Sequence, residues 1–460
     1  MRRLPRTSLS IVALALAIAL AAGPVRAQAG GAAEAAGAAA VSGIAGARLV
    51  TLSNGLRVLL DPDPTATGLD VTIWFDAGGR TEPPGRSGIT HLVERLISRT
   101  PDAQARAAEI ESHGGVTSTF TTPDLTGFSV TGPPSILETA LTLHAARMAE
   151  PQPTAEVLAA EREAIREERP RRPESSPNGR AVRRLFELLE PTLSYRASLT
   201  GSDDDLARLT ARDCSDYFRA RFGPSAALLT VVGRFDRDPV QTLLAATVGR
   251  APRHGEAAPK LTPRRTAPVA GPVRETSDFQ LPILFVGWRA PAASSADAAA
   301  LDLLSRLLTS GVSARLAGAL MNPQQGGVFV QGGYDGRRDG GVFYTAVATS
   351  PGVDSVKIER ALIAEVEKLA AEPVEGAELE RARRQAESNL LFGWQASWSR
   401  AQALGTAQMV NGDWRAAWDR LDQYRKLTPE QIERAAAAVL KPEGRAIVWL
   451  APAKPAGGIR

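Results

Sequence analysis

Two segments in different halves of the chain follow one pattern, and that repetition constrains the fold more than any other feature of the sequence. The first is LTARDCSDYFRARFGPSAALLTVVGRF, in which Thr210 and Asp213 have capping-box spacing, a helix follows, and Leu228 to Val232 reads as a buried strand. The second is LTPEQIERAAAAVLKPEGRAIVWLAP, in which Thr428 and Gln431 repeat the box, Pro429 takes the first helical position, and Ala446 to Leu450 repeats the strand. Each half also opens with a strand that runs into a helix, VTIWFDAG into GITHLVERLI and ILFVGW into ALDLLSRLL. The economical architecture is α+β, with two related domains in tandem. A chain of 460 residues is too long for one domain and suits two or three, and its 44% hydrophobic residues suffice for ordinary cores.

Residues 1–27 carry the pattern of an export signal: Arg2, Arg3 and Arg6, an apolar run from Ile11 to Ala22, and small residues around Val25-Arg26-Ala27, with cleavage expected after Ala27. That run is shorter than the roughly 20 residues needed to span a bilayer, and no later stretch qualifies. The expected location is therefore periplasmic or secreted, without a membrane span. Residues 28–46 are Ala/Gly-rich and read as a flexible tether, 47–250 as the first domain, 251–272 as a Pro/Arg/Ala-rich linker, and 273–455 as the second domain. Removing the four arginines of the signal (2, 3, 6 and 26) takes the formal net charge from +4 to 4 − 4 = 0, which gives no reason to expect nucleic acid or an acidic membrane as partner. Cys214 is the only cysteine, so an intrachain disulfide is impossible, and a packed bystander thiol is expected rather than a nucleophile.

On a helix turning about 100° per residue, Ile89, Leu92, Val93, Leu96 and Ile97 form one apolar stripe, while His91, Glu94 and Arg95 share the opposite side. Taken alone, this is a surface helix with a wet face. Further on, EREAIREE places Glu161 and Glu168 seven residues apart, which returns to within about 20° of the same face, so both carboxylates can point at one place. Taken alone, this too is a solvated charged helix, with Arg162, Glu163, Arg166 and Glu167 on its other sides.

The string H-L-V-E-R differs at one position from H-x-x-E-H, in which two histidines one turn apart hold a zinc ion and the glutamate activates a water. Its context, VTIWFDAGGRTEPPGRSGITHLVERLISRT, resembles the insulinase/pitrilysin-type zinc metallopeptidase family in the strand, the Gly- and Pro-bearing loop, Gly88 before the helix and the place of the motif. The likeness continues through EIESHGGVTSTFTTPD and EREAIREE and covers Arg48 to Pro452. It implies two homologous domains, each a mainly antiparallel sheet packed with helices, with metal chemistry in the first half alone. It also implies that His91 and Glu168 stand at zinc-ligand positions, Glu94 at the general-base position, and Glu161 at that of a supporting carboxylate.

Arg95 takes the place of the second ligand histidine. A guanidinium stays protonated, only donates hydrogen bonds, and repels a dication, so it cannot be a ligand. Arg95 is expected to pair with Glu168, Glu94 or both, and zinc is expected in a partner subunit rather than in this chain. Of the other histidines, His113, His144 and His254, none lies at a ligand position of the resemblance, and His113, just before Gly114-Gly115, comes nearest. Ser118-Thr119 replaces the Asn-Ala that the family carries on its peptide-binding edge strand. In the second half, Arg420 and Tyr424, one turn apart, match an Arg and a Tyr that hold substrate or stabilise an oxyanion. A spacing of two turns would instead reach Ala417, Arg415 competes for the role, and a helix surface bearing Trp414 and Trp418 is the plainer alternative. LLTSGVSARLAGAL has only Gly311 ahead of Arg315, closer to short bacterial members than to the glycine-rich loop of processing-peptidase α-subunits.

The resemblance therefore implies the non-catalytic subunit of a periplasmic heterodimeric zinc peptidase, with an HxxEH-bearing paralogous partner and extended peptides as ligands. The rivals are an active zinc metalloendopeptidase with an atypical third ligand and a non-enzymatic scaffold subunit.

Overall fold

The nearly unbroken apolar runs Leu69–Phe75 and Ala227–Gly233 are buried along their whole length, as strands covered on both faces must be. They form the centre of a six-stranded sheet built from β1 (Arg48–Thr51), β2 (Arg57–Pro62), β3 (Leu69–Phe75), β4 (Val116–Thr121), β5 (Thr126–Gly132) and β6 (Ala227–Gly233), in the order β1-β2-β6-β3-β5-β4. A second sheet of β7 (Val273–Ser277), β8 (Ile283–Ala290), β9 (Gly327–Gly336), β10 (Gly341–Thr349) and β11 (Arg445–Pro452) has the order β7-β11-β8-β10-β9. The computed structural model describes residues 46–190, 195, 198–261 and 271–453. The signal-peptide reading and nearly all of the tether fall outside those residues.

The duplication is visible in the topology. Leaving β1 aside, each half arranges its five strands in the same spatial order, with its first and last strands parallel (β2 with β6, β7 with β11) and its other pairs antiparallel. Both capping boxes form as the sequence indicates, at Thr210/Asp213 and Thr428/Gln431, and the strands that follow them are β6 and β11. In the first half α1 (Ile89–Ser98) follows β3, and α2 (Ala155–Glu168), α3 (Pro177–Leu189) and α4 (Ala211–Arg221) lie between β5 and β6. In the second, α5 (Ala298–Thr309) follows β8, and α6 (Gly376–Gly393), α7 (Ser397–Thr406), α8 (Ala416–Lys426) and α9 (Pro429–Val439) lie between β10 and β11.

The halves exchange helices. Helix α3 leaves the first half to lie across β8, β10 and β11, where Ala181, Leu185, Phe186 and Leu189 make one core with Phe285, Ala346 and Val448. Helix α7 makes the reciprocal crossing onto β3 and β6. Each crossing has a glycine at its closest approach. A Cβ on Gly405 would stand 2.2 Å from the Trp74 ring, and one on Gly287 would stand 2.7 Å from Leu185. Buried ion pairs reinforce the exchange: Arg400 of α7 meets Asp61 and Asp63 at 2.9 Å each, and Arg80 meets Asp339 at 2.9 Å. The described part of the linker is tied down rather than free. The Pro259 carbonyl accepts from Arg80 at 2.8 Å, and the Ala258 N–H donates to Asp76 at 3.1 Å. Among the described residues, no helix is long and apolar enough to cross a membrane.

Candidate functional site

Helix α1 begins at Gly88, whose φ of 86° is a left-handed conformation that suits glycine. The carboxylate of Glu82 caps this start by accepting from the N–H groups of Gly88 (3.0 Å) and Thr90 (3.1 Å). Burial raises the Glu82 pKa to about 7 against those hydrogen bonds. The apolar stripe Ile89, Leu92, Val93, Leu96 and Ile97 enters the first core as its spacing requires. The opposite side is not a wet face: His91 and Glu94 are both buried, with β4 and α2 packed beside them. A helix's own periodicity shows which side meets the core, but not that a second layer covers the other.

His91 is bonded at both ring nitrogens. Nδ1 lies 2.8 Å from Glu94 Oε2 and Nε2 lies 3.2 Å from Glu168 Oε2. Both neighbours are carboxylates with lowered pKa values. Glu168 is brought down to about 2, first by the His91 hydrogen bond and then, against burial, by Arg172. For Glu94, burial is the largest influence and pushes upward, but the His91 hydrogen bond and charge and the hydroxyls of Thr119 and Thr121 outweigh it. A carboxylate that is ionised only accepts, so these contacts favour a ring that donates from both nitrogens. Its pKa is accordingly raised: burial pulls it down, and the bonds to Glu168 and Glu94 more than offset that pull.

Arg95 donates from Nε to Glu161 at 2.7 Å and from Nη1 to Glu168 at 2.9 Å. The expectation that it pairs with Glu168 is met, and Glu161 takes the second bond instead of Glu94. Arg99 Nε reaches the other oxygen of Glu161 at 2.8 Å, and Arg172 bonds Glu168 at 2.8 Å and Glu174 at 2.6 Å. Arg95, Arg99, Arg172 and His91 thus face Glu94, Glu161, Glu168 and Glu174. His91, Glu94, Arg95, Arg99, Glu168 and Arg172 are among the residues that line a small polar cavity of about 190 Å³.

Such a donor set does not fit zinc. Both ring nitrogens of His91 are engaged by carboxylates, and Glu161 and Glu168 are committed to a guanidinium that stands between them. Among the described residues no group of three or more His, Cys, Asp or Glu side chains has metal-holding geometry. The other histidines lie elsewhere. His113 is exposed and bonds the Glu109 carbonyl of its own helix, His144 is buried against the Val71 carbonyl with its pKa brought down to about 3 by burial, and His254 packs on Phe218. Cys214 is buried, which pushes its thiol up to about 12 and leaves it unreactive.

Arg420 and Tyr424 converge, as their one-turn spacing suggests, but on an internal carboxylate. Tyr424 Oη donates to Asp302 at 3.0 Å and Arg420 Nη1 lies 3.4 Å from the same oxygen. Tyr424 is buried in the second core, and the apolar neighbours that bury it come from distant segments. Arg420 and Ala417 border a larger cavity between the halves, whereas Arg415 is exposed and held at Asp413. The sequence reading missed Glu82, Thr121, Arg99, Arg172 and Glu174. Arg99 and Arg172 carried a usable signal, lying four residues after Arg95 and Glu168 and hence one turn further along.

The family described as Insulinase (Peptidase family M16) matches residues 57–184, and the one described as Peptidase M16 inactive domain matches residues 208–386. The chain belongs to the insulinase family. Among its insulinase-family relatives, a zinc protease called PqqE from Helicobacter pylori is 26% identical over 88% of this chain and 92% of its own length. An uncharacterized zinc protease of Mycobacterium leprae is 26% identical over 86% of this chain and 90% of its own. The solved structure of a Helicobacter pylori protease superposes with a TM-score of 0.81 at 24% identity, covering 88% of this chain and 99% of that one. A Pseudomonas fluorescens structure described as a peptidase M16 inactive domain gives 0.78 at 19% identity, covering 89% and 98%. Zinc belongs to the catalytic members of the family, and this insulinase-family chain has Arg95 within its own HxxE helix.

Proposed function

We propose that this chain is a non-catalytic subunit of a periplasmic zinc peptidase, pairing with a paralogous chain that carries an intact HxxEH and helping to hold extended peptides. The observation that carries the proposal is the seating of Arg95 between Glu161 and Glu168, which satisfies those carboxylates as a metal ion would and supplies no ligand. The similarity to chains named zinc proteases supports peptides as the ligand class. The free edge of β4, which pairs only with β5 among the described strands, is a surface to which an extended peptide can add as a further strand. Glu94 keeps the general-base position without a metal-bound water to act on, so the chain alone does not cleave.

Co-expression with an HxxEH-bearing paralogue tests the proposal. A stable complex with peptidase activity, lost when the paralogue's own motif is disabled, is the expected result. A paralogue fully active alone removes the reason for a helper. Chelator-sensitive cleavage by this chain alone, abolished by Glu94→Gln, favours the reading as an active enzyme, and a stable larger assembly without peptide binding favours a scaffold.

A further inference from the structure

Strand β4 has two different faces. Thr119 and Thr121 turn toward α1, where their hydroxyls bond Glu94, while Ser118 and Phe120 alternate to the other side. On that side Phe120 meets Trp74 edge-on with ring centres 5.3 Å apart and forms part of the wall of a cavity of about 780 Å³ between the halves. Most of the remaining wall belongs to the second half. Leu390, Trp394 and Trp398, spaced four residues apart, face the cavity together with Val410 of the π-helical turn Ala407–Asn411. Trp398 is 47% exposed, and Phe392 in the same segment is 68% exposed. The space is within the size range of ligand sites and is walled mainly by aromatic and aliphatic groups.

We propose that this cavity receives a bulky apolar side chain of an extended peptide paired to the edge of β4, so that the subunit selects peptides in which an aromatic or large aliphatic residue sits between polar ones. The inference rests on the peptide-holding reading and adds a specificity to it. Residues directly opposite one another in an antiparallel pair project to the same face. A peptide residue opposite Phe120 therefore points at the Trp394/Trp398 wall. Its two neighbours point the other way, toward the polar cavity bounded by Arg95, Arg99 and Arg172. The occupant is fixed by continuity, because one strand forms both the edge that would hold the peptide backbone and the wall of the cavity.

The test uses the full mature chain and two blocked peptides of Ser, Thr and Lys, identical except for one central residue, Phe or Ala. The Phe peptide is expected to bind about tenfold to a hundredfold more tightly, as burial of a phenyl group implies, and to shift the tryptophan emission. Ala403→Phe, which fills the cavity from α7, is expected to bring the Phe peptide to within a fewfold of the affinity that the same variant shows for the Ala peptide. Equal binding of both peptides by the wild-type chain overturns the cavity assignment and leaves the peptide-holding reading standing, whereas binding of neither removes both. A photoreactive benzoylphenylalanine at the Phe position gives a readout without any variant. Crosslinks to Phe120, Trp394 or Trp398 support the assignment, and crosslinks confined elsewhere overturn it.

Discussion

Replacing Arg95 by methionine keeps the length of the side chain and deletes its charge and donors. The substitution breaks the bonds to Glu161 at 2.7 Å and to Glu168 at 2.9 Å. A hydrogen bond to a charged group contributes about 1.5–3 kcal/mol in a buried setting, and less where water screens it. The side chains of Arg95 and Glu168 are 20% and 28% exposed, and Glu168 keeps His91 and Arg172, so its share of the loss is small. The Glu161 side chain is 7% exposed and retains only Arg99, which is half in solvent, so most of the cost falls there. The expected destabilisation is about 2 kcal/mol, read from urea midpoints at neutral pH. Glu161→Gln costs a similar amount, and the double variant should fall short of the sum by about 1 kcal/mol or more, because both changes remove one interaction. A methionine variant as stable as the wild type, or strict additivity with Glu161→Gln, would refute the claim that Arg95 holds the carboxylates together.

Arg95→His is expected to bring a zinc-dependent gain of about 2.7 kcal/mol at a free metal concentration a hundredfold above the dissociation constant, with none for the wild type, measured by denaturation with and without added zinc. The His91 network should show a window in pH. Its raised imidazole makes a contribution fully present below the unfolded value of 6.5 and lost as pH rises through the folded value. The lowered carboxylates Glu94 and Glu168 make contributions present above the unfolded value of 4.5 and lost on acidification. The stability difference between wild type and His91→Gln should therefore peak between about pH 4.5 and 6.5, and a difference that keeps growing into alkali would count against a raised His91 pKa. Gly405→Ala should cost about 1–3 kcal/mol, because its Cβ meets the rigid Trp74 ring at 2.2 Å, and more than Gly287→Ala, whose neighbour Leu185 can turn aside; equal thermal midpoints for the two variants would contradict the helix exchange.

Much of this site could be read from local spacing. The H-x-x-E string put His91, Glu94 and Arg95 on one side of a helix, and the seven-residue interval put Glu161 and Glu168 on one face of another. What spacing could not give was the distance between the two helices, which decides that Glu161 rather than Glu94 receives the second bond from Arg95. Nor could it show that His91 and Glu94 are buried, since β4 and α2 cover them from other parts of the chain. The same holds for Tyr424: a helix turn says which residues are neighbours, and not that one of them faces Asp302 across a core. The duplicated order of the sheets was legible as repeated caps and strands. The exchange of α3 and α7 was not, because a helix packed on the other half's sheet has the same apolar stripe as one packed on its own.

The guanidinium of Arg95 is expected to leave this insulinase-family chain without a working zinc site. Elemental analysis of the purified mature chain, equilibrated with micromolar zinc and then passed through a desalting column, tests it most directly. Zinc is expected far below one ion per chain, rising on Arg95→His. One tightly held zinc per wild-type chain would contradict it.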